Sequence, residues 1–179
     1  EKQPSPRCSR GYPGLVAAWP MPTPPAHWAA PGQPVFVGRR SERTVLERAW
    51  VQAQQGVLQL VLVCGGAGAG KSRLVCDAAN TFHREGAAVL AGGCNADFAR
   101  PYDPVAEPVR VLLPWTAQGH IQLGDEVAAQ ADVVDRLRVV AGGESEGPVP
   151  STRLLFDAVS RLIVAATAPR PLVVVLEDL

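Results

Sequence analysis

The sequence predicts an α/β fold, a parallel sheet with helices on its flanks. Three observations carry that prediction. Short β-branched apolar runs bounded by glycine or proline recur at 57–64, 87–93 and 171–179. Segments with a helical apolar period separate them. A glycine-rich turn joins the first run directly to a helix. Runs that are apolar at every position belong to strands buried on both faces, which is the habit of parallel sheets.

The elements follow in order. Residues 1–34 hold nine of the 17 prolines and show no sustained period. They read as a Pro-rich linker or tail, expected to be disordered, with Trp19 and Trp28 as candidate docking points. Order begins at Val35 to Val37, and Gly38 breaks that stub. Ser41 is the expected N-cap of a helix that turns Val45, Leu46, Ala49, Trp50 and Ala53 to one face, and Gly56 ends it. "VLQLVLVC", 57–64, is the first strand. A helix from Gly70 to about Arg84 turns Leu74, Val75, Ala78, Ala79 and Phe82 inward, and Gly86 stops it. "AAVLAGG", 87–93, is the second strand, which completes a βαβ unit. "NADFARPYDP" is loop-like. Asp103 caps a further helix with Pro104 at its first position, and Pro108 makes that helix start later or kink. Asp125 to Val140 reads as helical and 142–150 as an exposed loop. Ser151 caps a helix striped by Leu154, Leu155, Ala158, Val159, Leu162, Ile163 and Ala166. "PLVVVLEDL", 171–179, is the third strand, and it ends in two carboxylates.

The chain's 179 residues suffice for one domain with a sizeable core. Seventeen basic and 17 acidic side chains cancel to a net charge of zero, which argues against a broad basic surface for nucleic acid. No apolar run approaches the roughly 20 residues that span a bilayer. Prolines interrupt the N-terminus, so a secretory signal is not expected and a cytoplasmic location is. The first residue is Glu1, which fits a fragment or a processed chain. Cys8, Cys64, Cys76 and Cys94 share no metal-ligand spacing and read as reduced thiols, while His27, His83 and His120 are isolated.

Gly65-x-x-x-x-Gly70-Lys71-Ser72 matches the Walker A loop, between a predicted strand and a predicted helix. Its glycines let backbone N–H groups converge on an anion with no side chain in the way. The helix that follows presents unpaired N–H groups and its positive dipole end to phosphates. Only Lys2 and Lys71 of the basic side chains are lysine, and Lys71 suits the β- and γ-phosphates as a compact charge. Gly65, Gly66, Ala67, Gly68, Ala69, Gly70, Lys71, Ser72 and Arg73 are therefore the candidate nucleotide-binding residues, with Ser72 as a Mg²⁺ ligand. Val173 to Leu176, ending in Glu177 and Asp178, has the form of a Walker B strand. One carboxylate of that pair holds Mg²⁺ and the other orients or activates water, and the residues leave open which does which.

The segments "VFVGRRSE", "GGAGAGKSRLV", "GGCNADFARPYDPVAEPVRVLL", "RLLFDAVSRLI" and "PLVVVLEDL" have the order and spacing of another set of proteins. Over about residues 34–179 the chain resembles the AAA-type, Orc1-like ATPase modules of STAND-class bacterial regulators, the LuxR-type and adenylate-cyclase-linked proteins. The resemblance implies a three-layer P-loop NTPase fold, of which 35–179 is the N-terminal part, truncated after the Walker B strand. It also implies an ATP-binding switch in which Val37, Gly38 and Arg39 lie over the adenine and help close the site. It puts Glu177 in the metal-side place and Asp178 in the water-side place, and it sets the cradle strand beside a fourth strand rather than beside the acidic one.

Three functions compete. The first is a slowly ATP-hydrolysing switch that passes between ATP and ADP, with self-association or regulator partners. The second is a non-catalytic nucleotide-binding assembly module. A small-molecule phosphotransferase comes last, because no acceptor site is evident. None of the three requires direct nucleic-acid contact or a membrane.

Overall fold

The computed structural model describes residues 21–22, 24–25, 28, 38–93, 102–124, 127–143 and 150–178. Within these, α1 (Arg40–Gln54) is followed by α2 (Lys71–Arg84), β1 (Ala88–Gly93), α3 (Asp103–Ala117), α4 (Val127–Val140), α5 (Thr152–Ala166) and β2 (Leu172–Glu177). The two strands pair in parallel, in a register that runs from Ala88 opposite Leu172 to Gly93 opposite Glu177.

The alternation of side chains along β1 explains the layering. Ala88 and Leu90 point into a core shared with α3, α4 and α5, built on Val109, Leu112, Val133, Leu137, Leu155 and Leu162. Val89 and Ala91 point the other way, into a core with Trp50 of α1 and Ala79 and Phe82 of α2. On β2, Leu172 joins the first core, and Val173 and Val175 join the second. Helices thus cover both faces of the sheet, as a parallel pair requires.

Helix α2 and both strands fall where the residues place them. Gly86, at φ 103, ends α2, and Gly56, at φ 84, follows α1. The stripe of α5 is buried at Leu155, Ala158, Val159, Leu162 and Ala166, but Leu154 stands outside it, 40% exposed. Val45 is likewise exposed on α1. Both lie at the margin of their stripe, beyond the reach of the neighbouring layer.

The expected buried strand over 57–64 is not found. That segment belongs to no ladder, and Leu58 and Leu60 are 92% and 88% exposed. A strand apolar on both faces needs a neighbour along each edge, and the two strands among the described residues pair with each other. The βαβ unit is therefore represented by α2 and β1 alone.

Two helix starts also differ from expectation. Arg39 rather than Ser41 is the N-cap of α1, and Tyr102 rather than Asp103 that of α3, each in the left-handed region without a side-chain cap. The Ser41 hydroxyl donates instead to the Glu42 carboxylate. Ser151 does precede α5, and its carbonyl accepts from the Leu154 and Leu155 N–H groups. Pro108 lies inside α3, which runs on to Ala117. Proline lacks the N–H that would bond the Pro104 carbonyl one turn back. That carbonyl lies against Gly92 of β1, where a Cβ would sit 1.9 Å from its oxygen. Gly92 is what allows α3 to approach the sheet.

The N-terminal segment is not featureless. Trp28 is buried at 4% exposure against α1 and α2, and its carbonyl accepts from the Asn80 amide of α2. The expected loops at 94–101 and 144–149 and the start of the helix expected from Asp125 lie outside the described residues, as do Val37 and Leu179.

Candidate functional site

The glycine-rich turn sits at the N-terminus of α2. Gly70 is its N-cap at φ 76, and Lys71 is its first residue. Gly68, at φ 71, is also left-handed, a conformation that a side chain at either position would resist. A Cβ on Gly66, Gly68 or Gly70 would meet nothing within 4 Å, so the turn is open where backbone must approach a ligand. The Lys71 ammonium folds back over this turn and donates to the Gly65 carbonyl at 2.8 Å and the Gly66 carbonyl at 3.0 Å. Those oxygens stand in for the phosphate oxygens that would compete for the same donors.

The start of α2 supplies further donors. Its first intrahelical bond is accepted by Gly70 from Leu74, so the amides of Lys71 and Ser72 have no acceptor within the helix. The Ser72 side chain is exposed, and Arg73 and Lys71 are half-buried. Arg39, thirty residues away in sequence, donates from Nη2 to the Ala69 carbonyl of the same turn. Of the two neighbours read with it, Gly38 precedes it at φ 94, and Val37 lies outside the described residues.

The acidic pair divides by strand geometry. Glu177 is the last residue of β2 and follows Val173 and Val175 at intervals of two, on the face packed against α2. Burial and then the Glu177 charge push the Cys76 thiol up to about 11. Cys76 lies one helical turn beyond Ser72, so Glu177 approaches the α2 face that carries the Ser72 hydroxyl. Asp178 lies past the strand, exposed, with φ 55.

Among the described residues no three His, Cys, Asp or Glu side chains gather into a metal site. Mg²⁺ is compatible with that, because it commonly takes one or two carboxylates and completes its shell with phosphates and water. Ser72 and Glu177 fit such a shell.

Two features of the site escaped sequence reasoning. Arg43 pairs with Asp77 at 3.5 Å, and Trp50 Nε1 donates to Glu85 Oε2 at 2.6 Å. Both tie α1 to α2. Arg43 lies one turn from Arg39 on the same helix face, a spacing that could have flagged it.

A glycine-rich turn, a lysine opening the following helix, and a parallel strand ending in carboxylate beside that helix define a P-loop nucleotide-binding protein of α/β architecture. The sequence profile of the AAA ATPase domain family matches residues 35–179, and the chain belongs to that family. Comparison with curated proteins and with solved structures finds no match. Family membership brings nucleotide binding and ATPase chemistry in general. No helix among the described residues is long and apolar enough to cross a membrane.

Proposed function

We propose that residues 35–179 act as the ATP-driven switch module of a signalling or transcriptional regulator of the STAND class, with residues 1–34 as its linker. The observation that carries this reading is the Lys71 ammonium resting on the carbonyls of a turn open to a polyphosphate. In this reading Lys71 and the amides from Gly65 to Arg73 hold the phosphates. Val37, Gly38 and Arg39 lie on the base side, and Ser72 with Glu177 would hold Mg²⁺. Mg²⁺, when bound, neutralises charge on the β- and γ-phosphates. The position of Glu177 on the α2 face supports giving it the metal side, which leaves Asp178 to orient water. Exchange between ATP and ADP would then set how the module meets a second copy or a regulator partner, in the cytoplasm and without direct nucleic-acid contact.

A non-catalytic binding module is the second reading. It is favoured by Asp178, which stands exposed past the end of β2. Titration of the chain with a fluorescent ATP analogue, with and without Mg²⁺, tests the shared core of both. Saturable binding that Mg²⁺ strengthens and Lys71→Ala abolishes is the expected result. Equal binding by Lys71→Ala would remove the cradle from the reading.

A further inference from the structure

Helix α1 is joined to the P-loop helix at three levels. Arg39 Nη2 donates to the Ala69 carbonyl, Arg43 pairs with Asp77, and Trp50 Nε1 bonds Glu85 while its ring stacks on Phe82 at 4.9 Å. The partners ascend both helices in the same direction, so α1 lies along α2 as a parallel splint. The first of these joints reaches past the helix into the turn itself.

Ala69 is held at both of its backbone polar atoms, which lie in successive peptide planes. Its N–H donates to the Gly66 carbonyl at 3.2 Å, and its carbonyl accepts from Arg39. The Gly66 carbonyl in turn accepts from Lys71 Nζ. A continuous run of hydrogen bonds therefore links the N-cap of α1 to the lysine of the cradle. A trans peptide is planar, with its carbonyl and N–H pointing in opposite directions. Fixing the Ala69 carbonyl consequently fixes the aim of the Gly70 N–H, on a residue whose φ of 76 only glycine adopts freely. Arg39 itself holds the left-handed region at φ 49, which is unfavourable for a non-glycine residue and persists only where the surroundings impose it.

We infer that Arg39 is a positioning residue for the phosphate cradle: it acts through the Ala69 carbonyl to orient the Gly70 amide, and so serves the triphosphate rather than only the base. This inference rests on reading the turn as a triphosphate cradle. The full chain with Arg39→Ala and Arg39→Lys is titrated with Mg–ATP and with Mg–tripolyphosphate, which has no base. Exchange of the Gly70 amide is also followed without ligand.

Arg39→Ala is expected to weaken both anions by the same factor, about tenfold, the scale of one charge-assisted hydrogen bond. It is also expected to speed Gly70 exchange. Arg39→Lys keeps the charge but loses the planar fork, so it should restore only part of the affinity. Unchanged tripolyphosphate affinity in Arg39→Ala, full recovery in Arg39→Lys, or unchanged Gly70 exchange each overturns the inference. Should the unmodified chain bind neither anion, the cradle reading fails, and the exchange measurement still decides whether Arg39 orients the turn.

Discussion

The Cys76 thiol of α2 packs against the core that the P-loop helix shares with the acidic strand, within reach of the Glu177 charge at that strand's end. Burial first, and the carboxylate second, push the thiol from its ordinary 9.0 up to about 11. That relationship joins two motifs separated by a hundred residues.

Glu177→Gln removes the charge and leaves the burial. The Cys76 thiol should then ionise more readily, and its alkylation by iodoacetamide at pH 8.5 should quicken several-fold, read site by site by mass spectrometry. An unchanged rate would show that the carboxylate does not reach the thiol. The sign for stability follows from the same shift. The folded chain keeps the thiol proton to a higher pH than the unfolded chain does. The stability this represents is complete below pH 9.0 and is lost as pH rises through about 11. The pH dependence of unfolding in that window should be shallower for Cys76→Ala than for the unmodified chain.

Asp178→Asn separates a hydrolysing switch from a binding module. If Asp178 orients the attacking water, the variant binds Mg–ATP with unchanged affinity but turns it over about a hundredfold more slowly, the lower range for loss of an acid–base group. Bound nucleotide recovered after gel filtration should then be ATP rather than ADP. Turnover equal to that of the unmodified chain would take Asp178 out of the water-side role.

Gly92→Ala places a methyl carbon 1.9 Å from the Pro104 oxygen and 2.9 Å from its carbonyl carbon. Backbone atoms of a packed helix cannot step aside as a flexible side chain would. The substitution should cost about 2 kcal/mol or more, lowering Tm by roughly 4–8 °C on the scaling for a domain of this size. A melt that matches the unmodified protein would mean that α3 slides freely over β1.

Trp50 contributes through its ring and through its N–H, and two variants separate these. Trp50→Phe keeps the contact with Phe82 and deletes the bond to Glu85, for a loss of about 1.5–3 kcal/mol as expected of a bond to a charged group. Trp50→Ala loses both and should cost about 3–5 kcal/mol. Equal losses in urea titration would assign the whole effect to the bond with Glu85.

The parts of this protein legible in its sequence are those decided within a few residues. Lys71 opens α2 because Gly70 can take a positive φ, and Gly86 closes it for the same reason. The apolar stripe of α5 and the runs that form β1 and β2 needed only their own periodicity. What escaped depends on neighbours far along the chain. Whether 57–64 is sheltered depends on which strands lie beside it. Pro108 is tolerated because Gly92 receives the carbonyl it leaves unbonded. Arg39 displaces Ser41 as the N-cap in a conformation that carries its guanidinium to Ala69. Trp28 is buried by surfaces on α1 and α2 that its own proline-rich surroundings do not reveal. In the site, the cradle was readable from residue types at fixed spacing. The joint at Trp50 was not, because an indole bond to a distant carboxylate carries no local signature, and at Arg43 only the one-turn spacing from Arg39 pointed to it.

The stretch from Leu58 to Val63 contains no charge, no proline and a single polar side chain, Gln59, and it meets water directly. Such a window combines the β-propensity and low charge that favour intermolecular pairing. The stem of the nucleotide site is thus also a surface open to self-pairing, and protein concentration becomes a variable in every measurement of that site. Affinities taken from dilute and from concentrated solutions of this chain should therefore differ, since at high concentration self-pairing of the stem constrains the segment that leads directly into the turn.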